Sequence, residues 1–155
     1  LDVDSSNHYA YVGISDNDPA TQPIIRFAQR NYSVTEGDSG QIYLNVRVVL
    51  SEAATTAVRV KFDTILHAGA TDGTDFQGVH RWLTFDVGQT AKTVRIPIYG
   101  DTVNEAYETF AVRLSQASGG AQLDVDSSNH YAYVGISDND SPSFAHAALH
   151  SDWLI

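Results

Sequence analysis

Apolar residues recur at every second position in segment after segment of this 155-residue chain. Only an extended strand puts alternate side chains on one face. Ile42, Leu44, Val46, Val48 and Leu50 share one face of such a segment, while Tyr43, Asn45 and Arg47 take the other. The same reading places Val58, Val60 and Phe62 opposite Arg59, Lys61 and Asp63, and Val94, Ile96 and Ile98 opposite Thr93 and Arg95. It also places Phe110, Val112 and Leu114 opposite Arg113, and further strands are expected at 24–29, 32–35, 81–85 and 131–137. Turn-forming stretches rich in Gly, Asp and Ser separate them, at 36–40, 68–74, 86–88, 100–101 and 118–120. No segment carries a 3.6-residue period, so about seven short strands predict an antiparallel β-sandwich. Pro97 falls inside a strand pattern, which places it on an edge or at a bulge.

A second pattern divides the chain. Residues 1–18, LDVDSSNHYAYVGISDND, return letter for letter as residues 123–140. Self-similarity at a fixed offset marks tandem organisation. We read 1–18 as the last strand of a preceding repeat or a duplicated strand, and 19–23, with Pro19 and Pro23, as a stiff linker. One domain then spans 24–140, and 141–155 is a tail with no assigned role. Within the repeated segment Ala132, Val134 and Ile136 face the core and Tyr131 and Tyr133 face out.

Charge narrows the function classes. The formal net charge is −10, and the two copies of the repeat carry eight of the nineteen acids without a base. Clustered carboxylates suggest a cation, and the absence of a basic stripe disfavours nucleic acid. No apolar run approaches the ~20 residues of a transmembrane helix, and the acidic start, Leu1 to Asp4, is unlike a secretion signal. A chain without cysteine tilts toward the outside of the cell, where a domain with a sizeable core needs no disulfide. No convergent nucleophile, acid/base pair or cofactor loop points to an enzyme.

Five spaced motifs carry a resemblance. They are YSVTEG at 32–37, GTDF at 73–76, LTF at 83–85 with GQT at 88–90, IYGD at 98–101 with Glu105, Glu108 and FAVRLS at 110–115, and VGISDND at 134–140. In this order they resemble the Calx-beta domain. The resemblance implies a seven-stranded, antiparallel immunoglobulin-like sandwich, found in sodium–calcium exchanger regulatory loops, an integrin subunit and repetitive bacterial surface proteins. It also implies calcium at one pole, with Glu36, Asp75, Asp101, Asp138 and Asp140 at the ligand positions. Independently of the family, calcium takes about six to eight oxygen ligands, and carboxylates converging from separate loops supply such a cage.

Departures from the family pattern limit that expectation. His67 stands where calcium-binding relatives carry an Asp, residues 77–80 offer no carboxylate, and only Asp101 represents a run of three acids. One weak calcium site, with affinity of about 10⁻⁴ to 10⁻³ M, or none, is therefore expected. Glu105 and Glu108 read as a solvated loop residue and a strand start.

The expected role is an extracellular or cell-surface tandem-repeat module, structural and adhesive, with weak calcium binding at inter-domain junctions. The alternative is a carbohydrate- or protein-binding sandwich without metal, using Tyr9, Tyr11, Tyr43, Trp82 and Tyr99. The expected partners are neighbouring repeats or copies of the chain itself, joined by strand pairing in trans through residues 1–18.

Overall fold

A computed structural model describes residues 21–142 as nine strands and one 3₁₀ turn. The first copy of the repeat and the tail from 143 onward lie outside the described residues. The strands are β1 (Ile24–Phe27), β2 (Asn31–Thr35), β3 (Gly40–Leu50), β4 (Val58–Ala68), β5 (His80–Phe85), β6 (Ala91–Gly100), β7 (Glu108–Ser118), β8 (Gln122–Leu123) and β9 (Tyr131–Ser137), with the 3₁₀ turn at Ser127–His130. They form a four-stranded sheet in the order β6-β3-β1-β8 and a five-stranded sheet in the order β2-β9-β7-β4-β5.

The architecture is the expected sandwich, but the count of seven and the purely antiparallel pairing are corrected. The strands expected at 24–29 and 32–35 form β1 and β2 in different sheets, because the chain crosses between sheets after Phe27: the Ala28 amide still bonds Arg47 of one sheet, while the Arg30 carbonyl already accepts from Tyr133 of the other. The two-residue β8 adds the ninth strand. Both strands lie beside the last two strands, and there the pairing is parallel: β1 with β8, Ile25 opposite Leu123, and β2 with β9, Tyr32 opposite Val134.

The alternation seen in the sequence is what fills the space between the sheets. Ile25, Val46, Val48, Val60, Phe62, Val94, Ile96, Ile98, Phe110, Val112 and Val134 are fully buried, and each such aliphatic or aromatic side chain contributes about 1.5–3 kcal/mol of transfer free energy. Phe27 of one sheet meets Phe62 of the other edge to face, with centroids 6.1 Å apart. Ile42 departs from its phase: it lies where β3 runs out beyond the core and is exposed. Pro97 is on the edge strand β6, as a residue without an amide donor should be. That edge is covered, since the Pro97 carbonyl accepts from Gln77 and the Tyr99 amide donates to the Asp75 carbonyl.

Asp63 was expected on the solvent face of β4. It does lie on that face, yet only 5% of it is exposed. Cross-strand register explains this: Asp63 sits between His80 of β5 and Arg113 of β7, with Lys61 two residues away. The three side chains close over it at 3.1, 3.7 and 3.6 Å respectively.

Candidate metal centre

Three strands hand an acid to the same end of the sandwich by keeping the phase of the core. In β2, Tyr32 and Val34 turn inward and Glu36 follows two residues later, 6% exposed. In β9, Val134 and Ile136 are buried and Asp138 follows. In β7 the order is reversed: Glu108 precedes the buried Phe110 and Val112. Register brings these ends together, since Thr35 pairs with Ser137, Glu108 with Ile136 and Gly40 with Gly100.

Loops supply the rest. Asp75 precedes the buried Phe76 in the β4–β5 connection and is itself 5% exposed. One of its oxygens accepts the Thr71 amide at 2.5 Å. Asp101 begins the β6–β7 connection and turns it by accepting the Val103 amide at 2.7 Å. The β2–β3 loop is held against this connection at Gly100, where a Cβ would overlap the Gly37 carbonyl, so glycine is required for the backbones to approach so closely.

Asp75, Glu105 and Glu108 form the tightest group, each offering an oxygen, all within 4.8 Å of one another. Glu36 faces Glu105, Asp101, Asp138 and Asp75 closely enough for each to oppose its ionisation. Burial first, and these neighbours second, push the Glu36 carboxyl from 4.5 up to about 7. Glu108 is likewise raised to about 7 by burial, by the charge of Asp75 and by a hydrogen bond to it. Glu105 is raised by burial and by Asp75, Asp101 and Asp138.

The chain's exit is anchored here as well. Asp138 accepts from the Asp140 amide at 2.5 Å, the Glu105 amide at 2.7 Å and the Asn104 side chain at 2.8 Å. These bonds, the two backbone ones first, hold its carboxyl below the ordinary carboxylate range. The Asn104 amide also donates to the Asp140 carbonyl, and Asn139 donates to Asp38.

Of the five residues expected to hold calcium, the structure therefore brings Glu36, Asp75, Asp101 and Asp138 to one pole. Asp140 stands at its rim, where desolvation first, and then the charges of Asp138, Asp38 and Asp101, raise its carboxyl. The compact trio includes Glu105 and Glu108, which the sequence reading took for a solvated loop residue and a strand start; Glu108 does begin β7. The signal was present: Glu108 is in phase with Phe110, Val112 and Leu114, and an acid on the core-facing phase of a strand is out of place unless something needs it. His67 is not part of the group. Its Nδ1 lies 3.0 Å from the Thr109 hydroxyl and its ring meets Tyr133 edge to face on the outer face of the sheet.

The donor set suits a hard divalent cation. All six inward acids offer oxygen and none of the borderline or soft ligands that select transition metals. Among the described residues every ion pair involves Asp63, so no base neutralises this pole. One Asp140 carboxylate oxygen is buried without a hydrogen-bond partner. Of the aromatics named in the alternative reading, Tyr43 and Tyr99 belong to the four-stranded sheet and Trp82 to the other, while Tyr9 and Tyr11 lie outside the described residues. Tyr43 is covered by Arg95 at 4.0 Å and Trp82 by Arg59 at 4.9 Å.

Comparison with known proteins agrees with this geometry. The Calx-beta domain profile matches residues 18–140. A segment of 60 residues is 43% identical to the adhesion G-protein coupled receptor V1 of Danio rerio, covering 39% of this chain and 1% of the receptor. A segment of 98 residues is 30% identical to the human FRAS1-related extracellular matrix protein 2, covering 63% of this chain and 3% of that protein. The chain thus spans a very small fraction of these relatives. Among solved structures, the apo form of the Calx CBD1 domain superposes with a TM-score of 0.68 at 32% identity, over 77% of this chain and all of that one. The calcium binding domain CBD12 of CALX1.1 superposes with a TM-score of 0.66 at 33% identity, over 75% of this chain and 46% of that one.

Proposed function

The chain belongs to the Calx-beta domain family, and from that premise we propose that it is a calcium-stiffened module of an extracellular tandem array with a structural and adhesive role. The observation that carries this reading is the acid pole: two buried carboxylates, Glu36 and Asp75, with Glu105, Glu108, Asp101 and Asp138 around them and no ion pair to any of them among the described residues. Burial first, and the neighbouring acids second, raise Glu36 and Glu108 to about 7. A divalent cation is the ordinary partner of such a group.

Asp75, Glu105 and Glu108 would form the inner ligands, with Glu36, Asp101 and Asp138 completing the cage. Calcium bound there would tie the ends of β2, β7 and β9 to the β4–β5 and β6–β7 connections. It would also fix the direction in which the chain leaves, because Asp138 and Asp140 stand where residues 141 onward continue. An extracellular setting is supported by the relatives, one an adhesion receptor and one a matrix protein, and by the repeated segment. A binding role rather than catalysis fits the family.

Calorimetric titration of the full chain tests the metal site. We expect a dissociation constant of about 10⁻⁴ to 10⁻³ M, lost in Asp75→Asn and Glu108→Gln. If calcium at about 5 mM, above that range, changes neither the melting temperature nor the heat signal, the metal reading is wrong.

A further inference from the structure

We propose that the outer face of the four-stranded sheet is a docking surface for a linear sulfated polysaccharide, held by Arg26, Arg47 and Arg95. The net charge of −10 conceals how the charges are sorted. Every base of the chain except Arg30 falls in a strand, whereas every acid of the described residues except Asp63 and Glu108 falls outside the strands. Those two acids belong to the five-stranded sheet. The strands of the other sheet, β6, β3, β1 and β8, therefore carry Arg26, Arg47, Lys92 and Arg95 and no Asp or Glu.

Register draws three of these bases into a line. Arg26, Arg47 and Arg95 are exposed and alternate with buried neighbours, so all three stand on the outer face. Lys92 instead keeps the phase of the buried Val94 and Ile96. Arg26 pairs with Val49, two residues along β3 from Arg47, and Arg95 pairs with Asn45, two residues along in the other direction. Each arginine is thus the diagonal neighbour of the next across adjacent strands, about 7–8 Å away. They are far apart in the chain, which is why the sequence shows no basic stripe.

Among the described residues nothing neutralises this line, since every ion pair involves Asp63 of the other sheet. The Arg95 guanidinium lies 4.0 Å from the centroid of the Tyr43 ring, which steadies it without cancelling its charge. A guanidinium presents a planar fork of N–H donors that engages two oxygens of an oxyanion such as sulfate at once. The face of a sheet, unlike its edge, has its backbone groups already paired, so it offers an acidic peptide no strand to extend. Nucleic acid draws its affinity from many phosphate contacts or from bases stacked on aromatic rings. Here the arginines are three, and the ring among them is already covered by Arg95. The choice of a polysaccharide as the polyanion rests on the extracellular setting proposed above, whereas the arginine line does not.

Fluorescence anisotropy of a labelled heparin dodecasaccharide, titrated with the full chain in chelator, tests the proposal. Chelator makes the result independent of calcium, so failure here leaves the metal reading standing, and failure of the metal reading leaves this one. The logarithm of the affinity is expected to fall with the logarithm of salt concentration at a slope of about −2 to −3, as three contacts imply. Arg26→Gln with Arg47→Gln and Arg95→Gln is expected to lose about tenfold or more in affinity. The three single substitutions, each expected to weaken binding and to lower the salt slope by about one, decide the matter if the triple variant does not fold. Arg47→Lys, which keeps the charge and loses the fork, is expected to bind more weakly than wild type and more tightly than Arg47→Gln. Arg59→Gln with Arg81→Gln, on the other sheet, is expected to stay within about twofold of wild type, since screening removes charges beyond about 10 Å. No binding by the wild-type chain, unchanged binding in the triple variant, or an equal loss in the Arg59→Gln/Arg81→Gln variant would overturn the proposal. Equally tight binding of the desulfated oligosaccharide, or of a DNA duplex of the same charge, would overturn it too.

Discussion

Phe76 and Phe110 stack in the core with ring centroids 4.0 Å apart and planes 10° from parallel, and each has a carboxylate of the acid pole beside it. Asp75 is the residue before Phe76, and Glu108 lies two before Phe110. Phe76 also bridges Ile98 of β6, so one aromatic pair fixes the β4–β5 loop against both sheets. Phe76→Ala should cost about 3–5 kcal/mol of stability and abolish calcium binding. Phe76→Leu, which keeps most of the volume, should cost less than about 2 kcal/mol yet weaken binding, because it loses the stack that aims Asp75. Urea melts and calorimetry on the two variants separate packing from aim.

The raised carboxyls make a prediction about pH. Glu36 and Glu108 move from 4.5 in the unfolded chain to about 7 in the folded one. Between those values the folded state holds more protons than the unfolded state, so stability falls as pH rises through that window and levels off above it. In chelator, the melting temperature should therefore decline from pH 4.5 to pH 7. Calcium competes with those protons, so its stabilising effect should be greater at pH 8 than at pH 5. A melting temperature that rises across this window in chelator would contradict the placement of these two acids.

Strand phase was legible in the sequence because it depends only on neighbours two apart. Val46, Val48, Val94, Ile96, Ile98 and Ala132, Val134, Ile136 are buried as the alternation predicts. Strand pairing was less so. That the strands expected at 24–29 and 32–35 would join different sheets, the second lying parallel to β9, depends on where the later chain returns, which no local pattern records. At the acid pole, the family motifs pointed to Glu36, Asp75 and Asp101 and the start of β7 at Glu108 was read correctly, but the weight given to exposed loops misplaced Glu105. Asp63 was misread for the same reason: its burial comes from Lys61, His80 and Arg113 on three different strands.

Gly100 sets the spacing of the acid pole. Any Cβ there meets the Gly37 backbone, which cannot swing aside as a side chain would. Gly100→Ala should shift the β2–β3 loop, cost about 1–3 kcal/mol as overpacking does, and weaken calcium binding by separating Glu36 from Asp101. Gly37→Ala, with nothing within 4 Å of its Cβ, should leave both properties near wild type. Equal effects from the two variants would remove the close approach as the cause.

Asp63 offers a test of electrostatics away from the acid pole. One of its oxygens is buried and lacks a hydrogen bond, although Lys61 and Arg113 lie 3.6 and 3.7 Å from it. Its partners are 37%, 58% and 40% exposed, for Lys61, His80 and Arg113. Water can therefore take over their solvation when the acid is removed, which keeps the loss below that of breaking a fully buried pair. Asp63→Asn should cost about 1–2 kcal/mol, leave calcium affinity unchanged, and make stability less sensitive to salt. Asp63→Leu, which satisfies the enclosed position without a charge, should cost less than Asp63→Asn. The opposite order in urea melts would show that Lys61, His80 and Arg113 contribute a net attraction rather than a covering.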